Sequence, residues 1–300
     1  MAKSNKSDNG SLAAQLAPFV RRCESDLRRW LVEKDTPLAL AQAMRYCVLG
    51  GGKRLRPGLV FLAGGAMGLA PSDELLRRCA AAVEMVHCYS LVHDDLPAMD
   101  DDVLRRGMAT AHVKFGQAMA ILAGDALLTR AFGVLAQSGD ERSSVLAAQL
   151  SRAAGGAGMI AGQVGDMELC TLPRGIEGLE YVHRRKTGAL IAASIAMGAI
   201  CGGADKATLS RLERFGNILG LVFQVVDDVL DVTGKTAKIG KTAGKDSRYG
   251  KSTYVSYLGL DEARRLSWKL TEQAIECLEF LGPGGDKLSK LAGLLASRTR

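Results

Sequence analysis

Two crowded groups of aspartates, each closing an apolar helical run, constrain this 300-residue chain more than any other feature of it. Asp94, Asp95, Asp100, Asp101 and Asp102 fall within nine positions, just before Arg105 and Arg106. Carboxylates a few ångströms apart at a protein surface repel by roughly 1 to 4 kcal/mol, so a fold that gathers them needs a counter-ion or open water. An oxygen-only set suits a hard divalent cation, and Mg²⁺ takes one or two carboxylates and completes its shell with water and substrate phosphates. A solvated acidic loop is the competing reading. The second group, FQVVDDVLD at 223–231, sets Asp227 and Asp231 four apart with Gln224 three before Asp227. On a helix these three share a face, and like charges at that spacing destabilise an isolated helix by a few tenths of a kcal/mol. A cation shared with the first group would remove that cost.

Pro97 fixes the shape of the first group. Asp94 and Asp100 are six apart, on different faces of a continuous helix. The helix must therefore end near Asp95, and the loop must fold the second carboxylate back. Upstream, Gly50, Gly51 and Gly52 lead into Lys53, Arg54 and Arg56 before Pro57 opens a helix. Glycines admit backbone amides to an anion and a helix amino terminus favours negative charge, so this reads as a phosphate cradle or a flexible basic loop. It is not a Walker motif, because no Ser or Thr follows Lys53.

Composition narrows the field. Hydrophobic residues make up 47% and aromatics 5%, so the core is built mostly of Ala, Leu, Val, Ile and Met, which favours helices. No segment alternates as a strand does, and the expected fold is all-α. Helices are expected over about 12–33 (kinked or delayed by Pro18), 36–49 behind a Thr36 cap, and 72–95 behind a Ser72 cap. Further helices are expected over 113–137 as a central element, 143–169 as one helix despite its glycines, and 208–231. The net charge of +7 is dispersed, without basic runs interleaved with aromatics, so anionic small substrates fit better than nucleic acid. Seven cysteines, none spaced as CxxC, indicate neither a disulfide framework nor a zinc site and suit a reducing compartment. Residues 1–10 read as a disordered polar tail with no signal-peptide core, and 11–300 as one domain. No stable membrane insertion and a cytoplasmic location are expected.

The motifs DDLPAMD (94–100) and DDVLD (227–231), with GGKRLRP (51–57), LRRG (104–107), GQVGD (162–166), KTG (186–188) and GKSTY (250–254) in that order, resemble those of the trans-isoprenyl diphosphate synthases over roughly 12–298. The resemblance implies a single-domain bundle of roughly ten or more helices around a central substrate cavity, working as a homodimer. It implies Mg²⁺, three ions per site with Mn²⁺ as a substitute, held by Asp94, Asp95, Asp100, Asp227 and Asp231. Isopentenyl diphosphate is expected at Lys53, Arg56, His87 and Arg106, and the allylic diphosphate at Arg105, Lys186, Thr187, Gln224, Lys241 and Lys251. Gln163 and Asp166 are read as partners behind the metals. Catalysis then rests on Asp94, Asp100, Arg105, Lys186, Asp227 and Lys241 stabilising the departing diphosphate while isopentenyl diphosphate attacks.

His87 and Asp94 are seven apart on one helical face; a satisfied core histidine is the plainer reading of His87. The lysine-rich stretch 232–252 reads as a mobile loop or as a lid. Tyr89, five residues before Asp94, resembles the aromatic plug of bacterial farnesyl diphosphate synthases and, with Ser90, is assigned to chain length; a core tyrosine is the alternative. A C15 product is expected, with C20 second. A terpene cyclase has no need of the Lys53, Arg56 and His87 site, and a non-catalytic partner subunit would have lost aspartates that are intact here.

Overall fold

A computed structural model describes residues 11–233 and 252–299. Its architecture is all-α. Among the described residues the only strands are the two-residue pair β1 (Leu104–Arg105) and β2 (Met108–Ala109), an antiparallel hairpin after the first aspartate group. The chain opens with α1 (Leu12–Trp30), α2 (Leu38–Leu49), α3 (Leu55–Ala66) and α4 (Glu74–Asp94). After the hairpin come α5 (Ala111–Phe115), α6 (Gln117–Ala136), α7 (Ser143–Ala154), α8 (Met159–Asp166) and α9 (Ile176–His183). A π-helical turn (Arg184–Gly188) runs directly into α10 (Ala189–Cys201), followed by α11 (Lys206–Thr233), α12 (Tyr254–Leu258), α13 (Leu260–Glu276) and α14 (Asp286–Ala296).

Helices α3, α4, α10 and α11 form the centre, with α6 laid along α4 and α13 along α11. Helix α10 is apolar around its whole circumference and feeds two cores. Leu190 and Met197 join Leu76, Met85, Val86, Leu127 and Leu146, while Ile191 and Ile195 join Leu59, Phe215, Leu219 and Leu291. Each such side chain removed from water contributes about 1.5–3 kcal/mol. The two central helices that end in aspartates, α4 and α11, are thus clamped through α10 from both sides.

Several boundaries differ from those expected. Asp73, not Ser72, caps α4, its carboxylate accepting from Leu76 N at 2.9 Å. Helix α2 starts one residue later than a Thr36 cap predicts, with Pro37 at the cap position. Helix α1 starts at Leu12, capped by Ser11, and runs through Pro18. The expected 113–137 helix breaks at Gly116, whose φ of 86° no helix accepts. Its longer part, α6, is not a central element: it packs along α4 on one side but leaves Ile121 and Leu122 exposed on the other. Among the described helices α6 alone is long and apolar enough, by length and composition, to cross a membrane. The expected single helix over 143–169 is two, because Gly155 takes an extended conformation (φ −82°, ψ −162°) and α8 restarts after Gly158.

Candidate active site

Helix α4 ends at Asp94 and the chain turns back on itself, as the Pro97 spacing demands. Asp100 N donates to Asp94 O at 2.8 Å and Asp101 N to Leu96 O at 3.1 Å, with Asp101 in the left-handed region (φ 49°). The turn sets the half-buried Asp94 and the exposed Asp100 next to one another. Burial raises the Asp94 pKa; the Lys186 charge opposes that and the Asp100 charge adds to it. Asp95 faces elsewhere. It is buried, and Arg105 donates to it through Nε at 2.6 Å and pairs through Nη2 at 2.6 Å. Burial lifts its pKa to about 6 against the pull of Arg105.

The π turn supplies the next groups. Gly162 of α8 lies against it so closely that a Cβ there would sit 2.1 Å from Lys186 N. That approach lets Asp166, one turn further along α8, take Lys186 Nζ at 2.7 Å. Thr187 Oγ1 donates to Gln224 Oε1 of α11 at 2.7 Å. The crossing of the π turn with α11 is equally tight, since a Cβ on Gly220 would lie 2.6 Å from Gly188 Cα. One helical turn beyond Gln224, Asp227 is exposed and Asp231 half-buried. Asp228 is buried, and its carboxylate accepts from Tyr254 N at 2.7 Å, fastening α12 to α11.

A third group comes from the glycine loop before α3. Lys53 is exposed; burial of its stem lowers its pKa, the Arg298 charge adds to that, and Asp227 opposes it. The glycine loop and the second aspartate group therefore share one electrostatic neighbourhood. Arg56 Nε is buried with no hydrogen-bond partner among the described residues. Burial lowers the Arg56 pKa, and burial reinforced by Arg56 and Arg106 drives the His87 pKa well down, leaving a neutral imidazole. Arg106 (φ 53°) reaches back to the carbonyl of Gly51. Tyr89 is buried, 6% exposed, with its ring edge-on to His93 at 5.7 Å; Ser90 donates to His87 O at 2.9 Å.

The side chains expected around one cavity are thus carried chiefly by four places that adjoin, the end of α4, the π turn, the end of α11 and the glycine loop, with His87 farther back on α4 and Arg105 and Arg106 on the hairpin. Lys186 bridges the first two in charge, Thr187 the second and third by a hydrogen bond, and Lys53 the third and fourth in charge. Lys241 and Lys251 lie outside the described residues. The sequence singled out Asp166 as a partner behind the metals, but its direct pairing with Lys186 was not legible there.

Among the described residues no three aspartates, glutamates, histidines or cysteines approach closely enough to hold an ion by themselves. The donor set fits a cation that needs one or two carboxylates and takes its other ligands from water and phosphate, which is the coordination Mg²⁺ prefers.

The family model of polyprenyl synthetases matches residues 37–279. The chain is 44% identical over 291 residues to the farnesyl diphosphate synthase of Escherichia coli (strain K12), an alignment covering 93% of this chain and 95% of that one. It is also 44% identical over 277 residues to geranylgeranyl pyrophosphate synthase 11, chloroplastic, of Arabidopsis thaliana, covering 88% and 75%. Among solved structures it is similar to an FPP/GFPP synthase from Zymomonas mobilis, with a TM-score of 0.81 and 34% identity over 94% of this chain and 97% of that one.

Proposed function

The chain belongs to the polyprenyl synthetase family, and from that premise we propose that it condenses isopentenyl diphosphate head-to-tail with dimethylallyl or geranyl diphosphate, releasing pyrophosphate and farnesyl diphosphate. It is a prenyltransferase. The observation that carries the reading is the chain of contacts and charges joining Asp94 to Asp227 through Lys186, Thr187, Gln224 and Lys53. Asp94 and Asp100 on one side, and Asp227 and Asp231 on the other, are the residues that would hold Mg²⁺, or Mn²⁺ in its place. Asp95, expected as a ligand, sits in its ion pair with Arg105 and orients that arginine. Bound there, three divalent ions would neutralise the charge that develops on the departing diphosphate.

The remaining roles fall to side chains. Lys186, set by Asp166, and Arg105, set by Asp95, present positive charge to the allylic diphosphate where charge grows in the transition state; Lys241 and Lys251 are assigned the same task. Thr187 and Gln224 hold one another in register beside it. Lys53, Arg56, Arg106 and His87 bind the diphosphate of isopentenyl diphosphate. As the allylic carbon–oxygen bond breaks, its electron pair leaves with pyrophosphate. The double bond of isopentenyl diphosphate supplies the pair for the new carbon–carbon bond, and a proton leaves the adjacent carbon. Water must be kept from the cation.

Buried Tyr89, one and a half turns before Asp94, supports a C15 limit. The geranylgeranyl pyrophosphate synthases match at the same identity but over less of both chains, so C20 stays the second reading. Purified protein with Mg²⁺, isopentenyl diphosphate and each allylic primer, with products sized, tests this: mainly C15 is expected, and mainly C20 product overturns the chain-length assignment. No product without chelator would remove the catalytic reading altogether and leave the partner-subunit reading. The exposed Val113, Ile121 and Leu122 on α5 and α6 support a homodimer, and the family context supports a cytoplasmic location.

A further inference from the structure

Arg54 stands between two residues assigned to the isopentenyl diphosphate site, and unlike the exposed Lys53 it is buried. Its side chain is fully buried: Nη1 donates to Glu84 Oε1 of α4 at 2.6 Å and Nη2 to Val48 O of α2 at 2.7 Å, with Glu24 Oε1 of α1 at 3.8 Å from Nη2. Its backbone is left-handed (φ 49°, ψ 41°) at the cap of α3, and its carbonyl takes the first helical bond, from Gly58 N at 3.0 Å. A non-glycine residue holds that conformation only where its surroundings over-determine it. Here the surroundings are three helices gripping one guanidinium.

Glu84 is as buried as its partner and lies one helical turn before His87 on α4. Its charge also reaches Arg56, whose Nε is buried without a hydrogen-bond partner among the described residues. We infer that Arg54 is a positioning residue for the isopentenyl diphosphate pocket: it holds the left-handed turn between Lys53 and Arg56, and it occupies Glu84 so that Arg56 is not drawn to that carboxylate. The inference rests on the proposed isopentenyl diphosphate site.

The test is steady-state kinetics on the full chain, with each substrate varied in turn. Arg54→Met should raise KM for isopentenyl diphosphate about tenfold while KM for the allylic diphosphate and kcat stay within about twofold. Replacing both partners, Arg54→Met with Glu84→Met, removes the unpaired carboxylate and should bring that KM back to within about threefold of the starting protein. A residue that merely supports the fold would lower Tm without splitting the two KM values, and that result overturns the inference, as does a double variant no better than the single one. Should Arg54→Met not fold, Arg54→Lys keeps the charge but not the fork that spans Glu84 and Val48. It should raise the isopentenyl KM about threefold, and an unchanged value overturns the inference. Arg56→Ala is the control: if it leaves the isopentenyl KM unaltered the pocket itself is misassigned, whereas an effect there with none at Arg54 sinks this inference alone.

Discussion

Asp94 and Asp95 are neighbours in the chain with different surroundings. One looks toward Lys186 and Asp100, the other is folded onto Arg105, and no spacing rule separates them, because the difference arises where the helix stops. What spacing did disclose was the return of Asp100, since Pro97 and a six-residue gap leave no other geometry. Tyr89 was singled out by resemblance and not by spacing, and the structure shows it buried on α4. Replacing it with alanine removes the bulk under the first aspartate group, and Tyr89→Ala is expected to shift the main product from C15 to C20 or longer on chromatographic sizing; an unchanged product length would remove Tyr89 from chain-length control. His183 was not legible at all. It is packed against the Tyr254 ring with 5.4 Å between centroids, and burial depresses its pKa to about 4, with Lys186 adding to that and Asp166 opposing it. The unfolded chain takes up this proton near pH 6.5 and the folded one resists it, so the contribution is full above pH 6.5 and is lost as pH falls toward 4. It amounts to about 3 kcal/mol over that window. Denaturant titrations should show the starting protein losing more stability than His183→Gln between pH 7 and 4, and equal losses would contradict the assignment.

At the scale of elements, the apolar periods of the sequence placed α4 and α11 to within about two residues, because each buries one side and leaves the other in water, whereas α10, apolar on every side, has no such period. Glycines misled in the other direction. Those at 155–158 end a helix that pattern alone would continue, whereas Gly162 and Gly220 permit contact between backbones that no local pattern describes. These two approaches decide where the π turn sits, and with it Lys186 and Thr187. Gly162→Ala would force a Cβ against Lys186 N, and overpacking of this kind costs about 1–3 kcal/mol. Beyond that loss in Tm, the displaced turn should lower kcat at least tenfold, since misplacing a reacting group by about 1 Å is worth up to 10²-fold. A variant with lower Tm and unaltered kcat would show that the π turn tolerates the shift.

For the whole molecule, composition and the lack of strand alternation gave the all-α fold and the ordered motifs gave the family, while neither explained the outer face of α6. Its exposed Ile121 and Leu122 form an apolar surface on a helix whose opposite side packs along α4, and a second copy of the chain is the occupant the account assigns to it. Ile121→Arg with Leu122→Arg should convert the dimer to monomer in sedimentation; a monomeric starting protein, or a variant that stays dimeric, would refute that assignment. Everything in the catalytic reading depends on α4 and α11 acting on one leaving group. The most direct measurement is a crystal structure with Mg²⁺ and an unreactive allylic thiolodiphosphate: the account predicts Asp94 and Asp227 meeting the same diphosphate through divalent ions, and a diphosphate held by one aspartate group with the other turned into a separate pocket would contradict it.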